Sequence, residues 1–274
     1  NLKKARLSIL KKYKNFSFSK TKVENNKNID KVFKRFKPNV VIHLAAQAGV
    51  RYSINKPRVY LNSNITGTYN IIEISKKLNV KHLIIASSSS VYGANKKIPF
   101  KEIDKTETQM SIYASTKKSN ESMAHAYSNI WKIPITMVRF FTVYGPWGRP
   151  DMALFKFTKN ILEKKEIEIY NHGHMKRDFT YIDDLIEGIN SILTLVPKVK
   201  DVDLQLKNDS LSKSAPYRIV NIGNSEPINL MDYINLIEEK LGIKAKKKFR
   251  DMQKGEVKDT WSDISLIESL NGFR

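Results

Sequence analysis

Hydrophobic and polar positions along the chain follow two periods, one typical of helices and one typical of strands. Apolar residues recur at helical spacing over 2–14, about 29–37, about 58–78 and from residue 112 onward. Phe16 to Ser19 alternates as a strand does, and short apolar runs that predict buried strands lie at 39–46, 81–86 and 135–140. Because strands and helices take turns, the pattern predicts a parallel sheet with helices on both faces.

The pattern loosens after Gly145, where prolines and glycines interrupt it. Helices are predicted at about 152–164, 183–195 and 229–241, and short strands at 167–170 and 218–222. The polar stretch from Lys198 to Ser214 has no apolar period and predicts a surface loop. This part of the chain is interpreted as a smaller α/β lobe, which divides the protein into residues 1–145 and residues 146–274.

Length and composition restrict the protein class. The 274 residues, 41% apolar and 27% charged, are enough for one large domain or two small ones. Apolar runs of about 18 residues and the apolar core of a signal peptide are both missing, so a cytoplasmic protein without a membrane span is expected. The chain has no cysteine, which excludes disulfides, thiolate metal sites and thiol nucleophiles. Its five histidines are scattered, and no metal site is predicted.

The net charge of +21 raises the question of a polyanionic partner. Lysines occur as pairs all along the chain, with one short run at Lys246 to Lys248. This spread favours a solvated surface and makes nucleic acid an improbable partner. Steering of anionic substrates and a true polyanion site stay open as alternatives.

Candidate chemistry centres on Tyr113 and Lys117, which stand four residues apart on one face of a predicted helix. A tyrosine with a pKa near ~10 is a poor base at neutral pH, and an ammonium within reach lowers that pKa. Ser88 follows a predicted buried strand, at the end where open α/β sheets bind ligands. In isolation, a tyrosine and a lysine at this spacing are more often a half-buried ring and a solvated charge. The strand and its serines favour the catalytic interpretation.

The layout of Ser88, Tyr113 and Lys117 resembles that of the extended short-chain dehydrogenases/reductases, the NAD-dependent epimerase/dehydratase family acting on nucleotide sugars. Residues 45–53, with the sequence AAQAGVRYS, resemble the UDP-glucuronate 4-epimerase branch. The resemblance implies a Rossmann-like, doubly wound parallel sheet that binds NAD, followed by a lobe that mainly binds the UDP-sugar. It also implies a homodimer as one option for assembly.

The resemblance assigns a role to each of the three residues. Tyr113, as phenolate, would take the proton of the sugar 4-hydroxyl, Lys117 would lower the tyrosine pKa and hold the nicotinamide ribose, and Ser88 would bind the reacting oxygen. The implied reaction is 4-epimerisation of a UDP-uronic acid, from UDP-glucuronate to UDP-galacturonate, through a 4-keto sugar.

Other positions match the family's binding residues. The cofactor-binding set implied is Ala45, Ala46, Gln47, Asn64, Ala86, Tyr113, Lys117 and Phe140. The substrate-binding set implied is Arg51, Ser88, Ser89, Thr142, Arg149, Met152, Arg177, Gln253 and Glu256. Within the second set, Arg149 is the candidate for the sugar carboxylate, because a guanidinium can bind a carboxylate through two parallel hydrogen bonds. Arg177 is the candidate for the diphosphate.

The chain departs from the family pattern at several places. No glycine precedes Gly49, so the first strand and the glycine-rich phosphate loop of the family have no counterpart, and the chain is interpreted as truncated at both ends. Lys22 stands where relatives have an adenine-binding aspartate, and Gln253 and Glu256 stand where many relatives have arginine and aspartate.

Other functions stay open at this point. A 4,6-dehydratase of the same fold needs an acid and a base beside the serine, and Ser89 and Ser90 provide only hydroxyls. Decarboxylases and reductases of the superfamily are further options. An alternative of another class is a non-catalytic, polyanion-binding fragment.

Overall fold

Parallel strands form the centre of the computed structural model, which describes residues 2–199, 206 and 208–273. The helices are α1 (Leu2–Leu10), α2 (Asn26–Phe36), α3 (Val50–Asn55), α4 (Pro57–Tyr60), α5 (Gly67–Lys77), α6 (Ile112–Trp131), α7 (Ala153–Leu162), α8 (Ile182–Ile192), α9 (Leu230–Leu241) and α10 (Ser265–Asn271). The strands are β1 (Val40–His43), β2 (His82–Ala86), β3 (Ile135–Phe140), β4 (Thr142–Tyr144), β5 (Glu166–Tyr170), β6 (Lys176–Tyr181), β7 (Tyr217–Ile222), β8 (Pro227–Asn229), β9 (Lys246–Arg250) and β10 (Asp259–Thr260).

The main sheet has the strand order β1-β2-β3-β7, with every neighbouring pair parallel. Successive residues of β2 point to opposite faces: Leu83 and Ile85 pack into one buried cluster with α5 and α6, and Ile84 packs into another with α8 and α10. All five residues of β2 are buried, as expected for a strand covered on both faces. The predicted α/β fold with a doubly covered parallel sheet is therefore confirmed.

The second half of the chain forms smaller sheets and also returns to the main one. One small sheet has the order β10-β6-β4, with β8 antiparallel to β6, and the other pairs β5 with β9. Strand β5 has a core of its own with α7 and α9, in which isoleucines of the strand and of both helices meet. The two small sheets, with α7 and α9, form a smaller lobe; its β4 precedes Gly145, while β7 and α8, which follow Gly145, complete the main sheet and its cover. A domain boundary at Gly145 stays a prediction.

Two predicted elements differ from the structure. Phe16 to Ser19 is not a strand, because alternation does not form a strand without a hydrogen-bonding neighbour, and β1 pairs only with β2 among the described residues. The helix predicted at about 58–78 is divided into α4, a π-helical turn at Leu61–Thr66 and α5. The predicted loop at 198–214 lies partly outside the described residues.

The described residues include no helix with both the length and the apolar character needed to cross a membrane.

Asp178, on β6, is a buried junction of the lobe. Its carboxylate accepts hydrogen bonds from the backbone amides of Asn224 (2.8 Å), Ser225 (3.1 Å) and Ser262 (3.0 Å), and from the Ser262 hydroxyl (2.6 Å). Gly223 allows this approach, because a Cβ there would collide with the Ser262 hydroxyl. One carboxylate therefore holds together β6, the turn after β7 and the segment after β10.

We expect Asp178→Ala to lower the free energy of unfolding by about 3 kcal/mol or more, because several buried donors lose their acceptor. Urea denaturation followed by circular dichroism measures this change. Asp183→Ala is the matched control: Asp183 is exposed in the first turn of α8, and its loss should cost only about 0.5 kcal/mol. Equal costs for the two variants would contradict the structural role of Asp178.

Candidate active site

The carboxyl end of β2 delivers two serines to the edge of the main sheet. Ser87 and Ser88 follow the last strand residue, Ala86. The Ser88 side chain accepts a hydrogen bond from the Ser90 backbone amide (3.2 Å) and so begins the short helical turn Ser89–Tyr92. Ser88 is nevertheless still available to other partners, because a hydroxyl both donates and accepts.

Helix α6 brings the other two predicted catalytic residues to the same place. Its N-terminus is capped by Ser111, whose hydroxyl oxygen accepts from the Ala114 amide at 3.1 Å. Tyr113 therefore lies in the first turn, where its phenol is close enough to the Ser88 hydroxyl for that hydroxyl to lower the phenol pKa. The Lys117 ammonium, one turn further on, donates to the carbonyl oxygen of Ala86 at 2.7 Å. The structure thus brings together the three side chains that the sequence predicts to be catalytic.

The electrostatics of Tyr113 differ from the expectation that Lys117 lowers its pKa. Burial raises the pKa of the Tyr113 phenol, and the Ser88 hydroxyl and the positive charge of Arg149 act in the opposite direction. Lys117 is directed at the Ala86 carbonyl, and burial lowers the pKa of its ammonium to about 8, against a raising effect of Glu121. The cation that assists the phenolate in this structure is therefore Arg149.

Small residues follow β1 at the same edge of the sheet. Ala45 and Ala46 are exposed, and the backbone of Gln47 is fixed by Asn64, which accepts from the Gln47 amide (2.8 Å) and donates to its carbonyl (3.1 Å). Asn64 is fully buried and also donates to Thr116 of α6 at 3.0 Å. Its side chain therefore positions this loop. A direct contact of Asn64 with a cofactor stays a prediction.

Four other predicted binding residues lie at strand ends or just beyond them. Ala86 is the last residue of β2, Phe140 is the last of β3, and Thr142 is the first of β4. Ser89 opens the helical turn after Ser88. Their positions at the carboxyl edge of a parallel sheet agree with the place where such sheets bind ligands.

Arg149 lies on the loop between β4 and α7, close to the phenol of Tyr113. Its guanidinium makes a bidentate ion pair with Asp151, with 3.0 Å from Nε to Oδ1, and it is partly exposed. It also lies beside Gly49, on the loop after β1. Met152 precedes α7, where its amide donates to the Arg149 carbonyl at 3.2 Å.

A carboxylate joins two of the predicted substrate-binding arginines. Glu256 lies 3.5 Å from the Arg177 guanidinium and 3.8 Å from that of Arg51. Arg177 also donates to the carbonyls of Val257 (2.8 Å) and Lys258 (2.7 Å). Arg51, Arg177 and Glu256 are therefore brought together, although α3 carries the first and the lobe carries the other two.

Gln253 lies on the same segment as Glu256. Its amide oxygen is buried and has no hydrogen-bond partner among the described residues. An unpaired buried acceptor costs free energy, so it favours a donor from a bound molecule.

Three residues of the site are missing from the sequence-based set. Tyr60 donates its hydroxyl to the Gly49 carbonyl at 2.6 Å, and its ring packs edge-on against that of Tyr113. Glu121 and Arg139 form a buried ion pair below Lys117. A signal for the pair was present, since Glu121 follows Lys117 by four residues on one helix and Arg139 interrupts an otherwise apolar strand.

Comparisons with known proteins agree with this geometry. Residues 2–204 match the model of the NAD dependent epimerase/dehydratase family. Protein CapI of Staphylococcus aureus is 50% identical over 96% of this chain and 79% of its own length. A probable UDP-glucuronate 4-epimerase of Rhizobium meliloti is 45% identical over all of this chain and 80% of its own length.

A solved structure shows the same fold. The UDP-glucuronic acid 4-epimerase of Bacillus cereus, determined in complex with UDP-glucuronic acid and NAD, is 34% identical and superposes with a TM-score of 0.87. The alignment covers the whole of this chain and 81% of that one. From the family match, which covers about three quarters of its length, and from these similarities, the chain belongs to the NAD dependent epimerase/dehydratase family.

Proposed function

We propose that the protein is an NAD-dependent 4-epimerase of UDP-uronic acids that interconverts UDP-glucuronate and UDP-galacturonate. The convergence of Ser88, Tyr113 and Lys117 at the carboxyl edge of the main sheet carries the proposal. The 45% identity to a probable UDP-glucuronate 4-epimerase supports the choice of substrate.

The residues at this edge fit a dinucleotide cofactor. Ala45 and Ala46 are small and exposed, so the surface after β1 is open to a flat ligand. Tyr113 and Lys117 supply a phenol and an ammonium that could hold hydroxyl groups of a ribose. We assign cofactor contacts to this edge, including the predicted residues Gln47, Ala86 and Phe140, within a proposed NAD-binding domain of residues 1–145. Residues 146–274 would mainly bind the substrate.

The proposed chemistry begins with loss of the proton from the sugar 4-hydroxyl. NAD, when bound, would accept the hydride from C4 and return it to the other face of the sugar. Tyr113 would be the base, because its phenol is the acidic group next to Ser88. Ser88 would hold the reacting oxygen, and Lys117 would orient the cofactor beside it. On return of the hydride, Tyr113 would give the proton back.

Arginines would recognise the two anionic parts of the substrate. Arg149 would bind the uronic acid carboxylate, because it lies close to Tyr113 and already makes a bidentate pair with the carboxylate of Asp151. Arg177 and Arg51 would bind the diphosphate, with Glu256 and Gln253 next to the nucleoside. Ser89, Thr142 and Met152 complete the proposed substrate-binding set.

The site favours epimerisation over dehydration. Elimination of water needs an acid and a base next to Ser88. Ser89 and Ser90 occupy those places, and the Ser90 hydroxyl accepts from that of Ser88 at 3.2 Å. Two hydroxyls of ordinary acidity cannot perform this step, so we rank a dehydratase below the epimerase.

Assembly and location are also proposals. Tyr69, Tyr127 and Trp131 form an aromatic group on the outer side of α5 and α6, in which Tyr69 and Trp131 are more than two-fifths exposed. Exposed apolar groups of this kind often mark interfaces, so we propose a homodimer that uses this surface. We place the protein in the cytoplasm, where NAD and nucleotide sugars are available.

Tyr113→Phe should reduce turnover of UDP-glucuronate by about 10³-fold, because the variant lacks the phenol oxygen that would take the proton and give it back. The reaction is followed by proton NMR of the sugar, in the presence of NAD. Thermal unfolding should be nearly unchanged. Tyr13→Phe, which alters an exposed ring outside the predicted set of site residues, is the matched control and should keep full activity. Undiminished activity of Tyr113→Phe would refute the proposed base.

Arg149→Ala should raise the KM for UDP-glucuronate by about 100-fold, since charged hydrogen bonds to the carboxylate are lost. Arg149→Lys should raise this KM by a smaller factor, because lysine keeps the positive charge. UDP-glucose has no carboxylate, so its inhibition constant should change little. Arg250→Ala removes an exposed arginine that pairs with Glu168 and serves as the control. A parallel loss of UDP-glucose binding would show that Arg149 does not recognise the carboxylate.

Trp131→Glu should convert the proposed dimer to a monomer, because it places a charge in the aromatic group. Light scattering coupled to size-exclusion chromatography measures the mass. Leu236→Glu, which alters an exposed residue on α9, should keep the dimer. A monomeric unmodified protein would disprove this assembly.

A further inference from the structure

A buried charged cluster lies directly below the proposed catalytic residues. The Glu121 carboxylate on α6 is 2% exposed and accepts hydrogen bonds from three residues. Arg139 of β3 donates from Nε at 2.8 Å and from Nη2 at 2.9 Å, Ser87 donates its hydroxyl at 2.7 Å, and Lys118 donates its ammonium at 3.4 Å. The cluster therefore connects α6, β3 and the turn that follows β2.

This cluster fixes the distance between the serine turn and α6. Ala86 accepts from Lys117, and the next residue, Ser87, donates to Glu121, one helical turn beyond Lys117. Ala86 and Ser87, which are consecutive in the chain, are thus bound to side chains on two consecutive turns of α6. Ser88 follows at once in the chain, so its position relative to Tyr113 depends on both bonds.

The charge of Glu121 acts on Lys117 as well. Burial lowers the pKa of the Lys117 ammonium to about 8, and Glu121 raises it. The facing group on β1 is His43, whose pKa is lowered to about 3 by burial and by Lys117, so that it is neutral near pH 7. Burial also raises the pKa of the Tyr113 phenol, on the same helix. Of these neighbours, Glu121 supplies the negative charge.

Glu121 stays ionised because of its partner. Burial alone would raise the pKa of the Glu121 carboxyl, but Arg139 and Ser87 outweigh it, and the pKa is lowered. Arg139 is itself held over the Tyr92 ring, 4.7 Å from its centroid, and donates to the Glu102 carbonyl at 3.1 Å. A buried ion pair of this kind contributes little to stability compared with apolar residues of similar volume. The position of the Glu121–Arg139 pair, next to Ser87 and Lys117, indicates a role other than stabilising the fold.

We propose that Glu121, held by Arg139, is a positioning residue for the epimerase reaction, which fixes the Ser87 turn against α6 and places a negative charge one helical turn beyond Lys117. This inference rests on the proposed function. In this proposal, Glu121 contacts neither the substrate nor the cofactor and acts through Ser87 and Lys117.

The test compares the protein with its Glu121→Gln variant in two independent measurements. The first is the pKa of Lys117, followed by NMR of lysine labelled at Cε, with the resonance assigned by its loss in Lys117→Gln. The second is the pH profile of kcat for UDP-glucuronate with NAD. We expect the pKa of Lys117 to fall by about one unit or more in Glu121→Gln, and the alkaline limb of the profile to move down equally. At pH 7 the charged fraction of Lys117 should then fall from about nine-tenths to about half, so kcat should fall about 2-fold.

Other variants separate charge from packing. Glu121→Gln leaves Arg139 unpaired, so the double variant E121Q/R139M provides a form without any unpaired buried charge and should show the same fall in the Lys117 pKa. Ser87→Ala keeps both charges, so it should lower kcat and leave the alkaline limb in place. Glu238→Gln is the matched control: Glu238 is equally buried, pairs with Lys247 and Lys244 on the lobe, and should leave the profile unchanged.

An unchanged Lys117 pKa in both Glu121 variants would overturn the inference, as would a lowered pKa without any change in kcat. A uniform loss of kcat with no shift of the profile would assign Glu121 a purely structural role and would also overturn it. If the unmodified protein has no epimerase activity, the proposed function fails and so does the catalytic part of the inference. The NMR measurement then still decides whether Glu121 keeps Lys117 charged.

Discussion

The hydrogen bond from the Lys117 ammonium to the Ala86 carbonyl joins the central helix of the site to the end of its central strand. A carbonyl at the end of a strand has no ladder partner beyond it, and burial makes an unpaired acceptor costly. The Lys117 ammonium supplies the missing donor, and this hydrogen bond restricts the conformations of the Lys117 side chain. The serine turn and the tyrosine of α6 therefore hold their places relative to each other because the helix is bound to the strand between them.

Burial of so many polar groups at one place is an electrostatic constraint on the fold. Four polar groups lie near the carboxyl end of β2: the phenol of Tyr113, the ammonium of Lys117, the carboxylate of Glu121 and the guanidinium of Arg139. Each would be unfavourable there without its neighbours. Glu121 and Arg139 neutralise each other, while His43 avoids a second positive charge near Lys117 by staying neutral. The pKa values of the site are thus a property of the group rather than of any one residue.

The sequence predicts the parts of this site that depend on local periodicity. The strand before Ser88 and the helix that carries Tyr113 and Lys117 are both readable, because strand ends and helix faces follow from spacing. The partner of Glu121 cannot be predicted from the sequence, since Arg139 lies on another element and only the sheet order brings it near. The strand predicted at 16–19 does not form for the same reason: pairing between distant segments determines whether a strand forms, and alternation alone does not.

Acidic residues are scarce in this chain, 27 against 48 basic ones, and the buried ones lie where irregular segments meet. Glu121 holds the turn after β2, Asp178 holds the turns around β7 and β10, and Glu238 pairs with lysines near β9. A carboxylate can accept about four hydrogen bonds, so one such group can replace the missing backbone partners of several loops. The excess of lysine therefore belongs mainly to the surface, and the few buried acids determine how the loops around the site are held.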